Sequence, residues 1–216
     1  MKYKLILADP PWQYRNSQNG AAGKHYGLMS TDDLCALPVP DLADDDSVLL
    51  LWSTNPCLPE ALKVMEAWGF QYKTKLVWIK VCDHQEGVPL EKVKLSYGTG
   101  YWCRGNAEDI LIGVRGKPPA PRSLYLGLIS NRFWHSRKPE SIHHYAESIS
   151  QGPYLEMFAR CRRPHWDSWG DEVESTIDIN DHGNPKNNPP SSTRRWLGLD
   201  QESRQSETQS SGEVGS

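Results

Sequence analysis

Hydrophobic and polar positions alternate along this chain in blocks that change period. Lys4–Ala8 is short and apolar, and Val48–Trp52 (VLLLW) is apolar at every position, the pattern of strands buried on both faces. Between Leu58 and Trp68, the residues Leu58, Leu62, Met65 and Trp68 recur near helical spacing, and Gly69 follows as a stop. Lys73–Val81 and Asp109–Val114 read as further strands. Pro139–Ser150 reads as a helix with proline at an early position, where the missing N–H costs little, and Tyr154–Ala159 as a last strand. Strands alternating with helices predict the doubly wound α/β class, a mainly parallel sheet with helices on both faces.

From about Ser175 the pattern fades. Asn, Asp, Pro, Ser, Gln and Glu dominate, and too little apolar surface remains to offset chain entropy. The expected division is therefore a domain over 1–174 and a disordered polar tail over 175–216, with Trp196-Leu197 as the tail's one apolar docking spot.

Composition narrows the class. The 216 residues include nine Trp and nine Tyr, and the formal net charge is -3, so contact with a polyanion must come from local basic patches. Five scattered cysteines without a CxxC pair argue against a disulfide framework or a structural zinc site. His135, His143 and His144 complete no metal spacing, so no metal is expected. No long apolar stretch suggests a signal peptide or membrane span, and the expectation is a cytoplasmic protein.

The chemistry gathers at Asp9-Pro10-Pro11-Trp12, directly after the first strand. Ligands of open parallel sheets bind beyond the carboxyl ends of strands. Two prolines fix the backbone and donate no N–H, so their carbonyls and the Asp9 carboxylate form a stiff set of acceptors. An exocyclic amine needs such acceptors, because its lone pair is delocalised into the ring until its hydrogens are held. Trp12 offers a face on which a heterocycle could stack.

These residues, with HYGLMSTDDL (25–34), VLLLWSTN (48–55), YWCRGNAEDILIGVRGKP (101–118), HSRKPE (135–140), YLEMFAR (154–160) and WGDE (169–172), resemble the adenine-N6 methyltransferases related to the catalytic subunit of the mRNA adenosine methyltransferase. The resemblance spans nearly all of 1–173, in order. It implies a Rossmann-like methyltransferase fold in the permuted, β-type arrangement, with the catalytic tetrapeptide before the cofactor strand. The implied catalytic residues are Asp9, Pro10, Pro11 and Trp12. The implied cofactor is S-adenosylmethionine, bordered by Ala8, Asp9, Lys138, Glu156, Phe158, Arg160, Asp171 and Glu172. Lys138, at a helix start, is placed to meet the methionyl carboxylate, and Glu156 and Arg160 to hold the ribose and its surroundings. Asp171 departs from the family, which has asparagine there; the change removes a donor and adds charge.

For the substrate, the loop Tyr14–Gly27 is glycine-rich, basic and free of acids, a composition suited to a lid. Tyr14 belongs to it, and Tyr26 matches a family residue near the target base. The stretch 115–138 carries Arg115, Lys117, Arg122, Arg132, Arg137 and Lys138 without an acid, interleaved with Tyr125, Phe133 and Trp134, as a nucleic-acid edge would. Asn55 can pair with an adenine edge. Trp52 either lines the pocket or is a core residue. Glu108 either orients the pocket or pairs with Arg104. DNA is favoured over RNA because the chain is short and lacks an appended RNA-binding or zinc module. A non-catalytic binding partner is disfavoured by the intact Asp9, and a protein-amide or small-molecule substrate by the basic aromatic segment. The resemblance also admits a homodimer, since relatives pair through surfaces near the substrate loop.

Overall fold

The computed structural model describes residues 1–13, 27–82, 92–98, 100, 102–121, 127–131 and 137–179. In chain order these form β1 (Tyr3–Ala8), α1 (Thr31–Cys35), α2 (Val39–Leu42), β2 (Ala43–Ser53), a 3-10 turn (Asn55–Cys57), α3 (Leu58–Ala67), β3 (Gln71–Cys82), β4 (Lys94–Leu95), β5 (Ala107–Arg115), β6 (Gly127–Asn131), α4 (Ser141–Ile149), β7 (Tyr154–Met157) and β8 (Trp166–Trp169).

The strands make one sheet in the order β4-β3-β5-β2-β1-β7-β8, with β6 paired to β3. Pairings β1–β2, β1–β7, β7–β8 and β3–β6 are parallel, whereas β2–β5, β3–β5 and β3–β4 are antiparallel. The sheet is thus mixed, parallel through β2-β1-β7-β8 and reversed at β5.

Alternation along β1 sorts its side chains onto two cores. Ile6 and Ala8 join Leu49, Leu51 and Leu111 beneath α1 and α3, while Leu5 and Leu7 join Val48, Leu50, Ile110 and Ile112 beneath α4. Helices therefore cover both faces, the doubly wound arrangement. Ser30 caps α1 by accepting from the Asp33 N–H at 3.1 Å, and the indole N–H of Trp68 ties the end of α3 to the Leu34 carbonyl at 2.7 Å.

The expected elements are present with shifted ends. β2 begins at Ala43 and β7 stops at Met157, because Phe158 adopts φ 62° and leaves the sheet. β8, α1 and α2, unforeseen in the sequence, are short. The boundary expected at 174 falls inside packed structure. The Thr176 N–H donates to the Ser168 carbonyl at 2.8 Å, the Ser168 N–H donates back to the Thr176 hydroxyl at 2.9 Å, and Ile179 is fully buried in the α1/α3 core. Residues 180–216, including Trp196-Leu197, lie outside the described residues. No described helix is long and apolar enough to cross a membrane.

Candidate active site

The carboxyl ends of β1, β2 and β7 share one rim with the start of the reversed β5. On the α4 face of that rim, alternation lines up Asp9 after Leu7, Trp52 after Leu50, and Glu108 before Ile110. Glu108 also stands directly across from Trp78 in the β3–β5 register.

The tetrapeptide is held from three sides. The Asp9 N–H points to the Met157 carbonyl at 3.5 Å, and the Trp12 N–H closes a tight turn on the Pro10 carbonyl at 2.9 Å. The Met29 N–H donates to the Pro11 carbonyl at 3.0 Å. Each of these bonds uses one of a carbonyl's two lone pairs, so Pro10 and Pro11 each keep one acceptor position beside the Asp9 carboxylate. Trp12, expected as a stacking platform, is 6% exposed, and its indole N–H donates to the Trp52 carbonyl at 3.0 Å. It is a core residue that locks the tetrapeptide to β2.

Four charges alternate here, Asp9 the first of them. The Lys138 ammonium donates to Asp9 Oδ2 at 2.8 Å and lies 3.4 Å from Glu108 Oε2, and the other Glu108 oxygen accepts from Lys80. Burial pushes the Asp9 carboxyl up, against the pull of Lys138. Burial would also raise Glu108, yet Lys138 and Lys80 outweigh it and hold Glu108 below the usual range. Lys138, which burial alone would lower, is raised by Asp9 and Glu108. Of the two readings of Glu108, the one that pairs it with Arg104 fails. Arg104 is exposed and lies over the Tyr97 ring at 5.7 Å. Trp52 is a core residue, 2% exposed and packed edge-on to Trp78, with the Lys138 ammonium 5.1 Å from its ring centre.

The resemblance assigns Lys138 to the methionyl carboxylate of a donor; its ammonium instead bridges two of the protein's own carboxylates. The other candidate donor residues gather at the tips of β7 and β8. Phe158 packs edge-on to Trp169, and Arg160 Nε lies 3.5 Å from Glu172. Asp171 and Glu172 are exposed, and Asn55 is exposed at the 3-10 turn. Gly170 lets these tips meet, since a Cβ there would stand 2.1 Å from the Ala159 carbonyl oxygen. Ala8, fully buried, ends β1 below them. Cations and carboxylates in alternation fit a zwitterionic donor with a ribose, which needs partners of both signs.

Two participants escaped the sequence reading. Lys80 lies on the β3 face that carries Leu76 and Trp78, and a lysine ending such an apolar face signals a buried partner. His143, on α4, bonds Glu156 at 2.9 Å and packs edge-on to Trp166. Of the expected basic edge, Arg115 is tied to the Pro40 carbonyl at 2.7 Å and Lys138 is engaged by Asp9, whereas Arg137 is exposed and faces Glu140 at 3.4 Å. Tyr14, Tyr26 and Arg132 lie outside the described residues. No metal-holding group of His, Cys, Asp and Glu occurs among the described residues.

Comparison with known proteins places this geometry. A type II methyltransferase, M.MunI, of a Mycoplasma species is 29% identical over 207 residues, covering 84% of this chain and 83% of that protein. A putative N(6)-adenosine-methyltransferase MT-A70-like protein of Medicago truncatula is 28% identical over 84% of this chain, which spans only 28% of the plant protein. The human N(6)-adenosine-methyltransferase catalytic subunit METTL3 is 26% identical over 80% of this chain, again 28% of the relative's length. The MT-A70 family model matches residues 3–172, and the chain therefore belongs to the MT-A70 family of adenine-N6 methyltransferases, which use S-adenosylmethionine.

Proposed function

We propose that this chain methylates the exocyclic N6 amine of adenine in nucleic acid, with DNA as substrate. The observation that carries the reading is the Asp9 carboxylate beside the Pro10 carbonyl, oriented by Lys138. Lys138 occupies Oδ2, leaving Oδ1 and the second lone pair of Pro10 to accept the two amine hydrogens. As the nitrogen takes on positive charge, the ionised Asp9 stabilises it in a site sheltered from water. Glu108 matters because it shares the Lys138 charge, so that Lys138 orients Asp9 without fully offsetting it. The upward push on Asp9 also suits it to take the proton that the methylated amine must release.

S-adenosylmethionine, when bound, supplies the electrophilic methyl group. Arg160, close enough to Asp9 to act on its charge, suits the donor's carboxylate. Glu172, Asp171 and Glu156 suit its amine and hydroxyls, with Ala8 and Phe158 as apolar borders. DNA is supported by the relative whose length this chain nearly spans, a type II methyltransferase. RNA is the second reading, supported by the several relatives named as adenosine methyltransferases. A homodimer remains part of the proposal through the resemblance alone.

The test is to incubate the protein with radiolabelled donor and separate unmethylated DNA, RNA and protein, then to identify the labelled nucleoside. N6-methyladenine in DNA is expected; label in RNA alone would select the second reading, and label in cytosine or protein would sink both. Asp9→Ala should lower turnover about a hundredfold or more while leaving donor affinity nearly unchanged. Unaltered turnover would remove Asp9 from the mechanism.

A further inference from the structure

We propose, on the reading of Glu156 as a donor-binding residue, that His143 is the positioning residue of that carboxylate. It fixes one oxygen of Glu156 so that the other accepts a ribose hydroxyl of the methyl donor.

Glu156 is the penultimate residue of β7 and stands beside Leu7 of the parallel neighbour β1, so its side chain shares the α4 face with Asp9. A carboxylate near the carboxyl end of a parallel strand is a common acceptor for ribose hydroxyls. Oε2 of Glu156 is bonded to His143 Nε2 at 2.9 Å, and the side chain keeps 19% of its surface open. It accepts no other hydrogen bond among the described residues. One oxygen is engaged and the other is available.

His143 sits near the start of α4 and is 6% exposed. Its ring packs edge-on to Trp166 with centroids 5.1 Å apart. Trp166 in turn stacks on Tyr154 at 4.8 Å and donates its indole N–H to Glu147 at 2.9 Å. The imidazole therefore rests against a tryptophan that is itself held on two sides. Its Nδ1 is buried without a partner. A proton on Nδ1 would face no acceptor, so the ring carries its proton on Nε2 and donates it to Glu156. A lysine or arginine there would bond Glu156 equally well but would set a positive charge against it. The singly protonated ring fixes the oxygen and leaves the carboxylate its charge, and hydrogen bonds to a charged acceptor are the stronger kind. Glu156 is thus ordered before the donor arrives, and binding is spared the entropy of ordering it.

The experiment measures, by calorimetry on the full chain, the affinity of S-adenosylhomocysteine and of its 2′-deoxy and 3′-deoxy forms. In the unmodified protein one of the deoxy forms should bind about tenfold more weakly, the worth of a hydrogen bond to a charged group. His143→Asn puts its amide where Nδ1 stood, short of Glu156. This variant should bind the parent compound about tenfold less tightly and distinguish the three ligands by less than about threefold. His143→Gln, whose amide reaches the place of Nε2, should restore both affinity and discrimination. A purely structural histidine would lower all three affinities together and leave their ratios alone. An unchanged ratio in His143→Asn overturns the proposal, as does a lost ratio in His143→Gln, which keeps the test decisive should His143→Asn not fold. Equal binding of all three ligands by the unmodified protein overturns it too, and in each of these cases the donor reading stands. Failure to bind S-adenosylhomocysteine at all would remove the donor reading itself, and the proposal with it.

Discussion

At the scale of single residues, the site works through four charges whose order matters more than their number. Lys80, Glu108, Lys138 and Asp9 form a line in which each charge has an opposite neighbour. Asp9 must be ionised to hold the amine, and burial raises its pKa, so the acid limb of kcat against pH should lie above the ordinary carboxylate range. Lys138 pulls the other way. Lys138→Ala should move that limb to still higher pH, read from a pH–rate profile at saturating donor; an unmoved or lowered limb contradicts the assignment. Lys80→Met tests the outer pair. Glu108, lowered in the folded state, contributes stability above its unfolded pKa and loses it as pH falls through the folded value. Because Glu108 keeps Lys138, the variant should lose about 1.5–3 kcal/mol at pH 7, the worth of a hydrogen bond to a charged group, and urea unfolding should show the deficit shrinking toward about pH 3.

At the scale of elements, register rather than composition brings the site together. Asp9 and Glu108 were legible in the sequence because each follows or precedes a strand-like run. Lys80 was not, because an isolated lysine in an alternating segment reads as solvent-facing until the face it ends is known to be buried. Trp12 misled for a related reason: an aromatic after a strand can stack on a ligand or plug the core, and only the bond from its N–H to Trp52 decides. The reversed β5 was invisible, since an apolar run has no direction. The packing at Gly170 is the most constrained contact between elements at the rim. Gly170→Ala forces a Cβ onto the Ala159 backbone, which cannot swing away as a long side chain could. It should cost about 1–3 kcal/mol and weaken donor affinity more than it changes turnover, measured by calorimetry and by kcat at saturating donor.

At the scale of the whole molecule, the α/β class, the two covered faces and the position of the tetrapeptide were all readable from alternation and order. The end of the domain was not. Ser175 to Ile179 have the composition of a polar tail, yet two apolar residues and one threonine suffice to dock them. Ile179 alone buries a side chain worth about 1.5–3 kcal/mol. A chain ending at 174 should therefore melt measurably lower than the full chain, while one ending at 181 should melt within a degree or two of it. Equal melting of both would show that the docked segment contributes nothing.

The direction of β5 carries one more implication, about change over time. Because β5 runs against β3, the connection from Cys82 to Ala107, which lays β4 against the end of β3 on its way, starts and finishes at the same end of the sheet. Residues can be added or removed between β4 and β5 without sliding β3 past β5. A lineage could thus lengthen or exchange this segment and acquire a new target sequence while inheriting the donor half of the molecule unchanged.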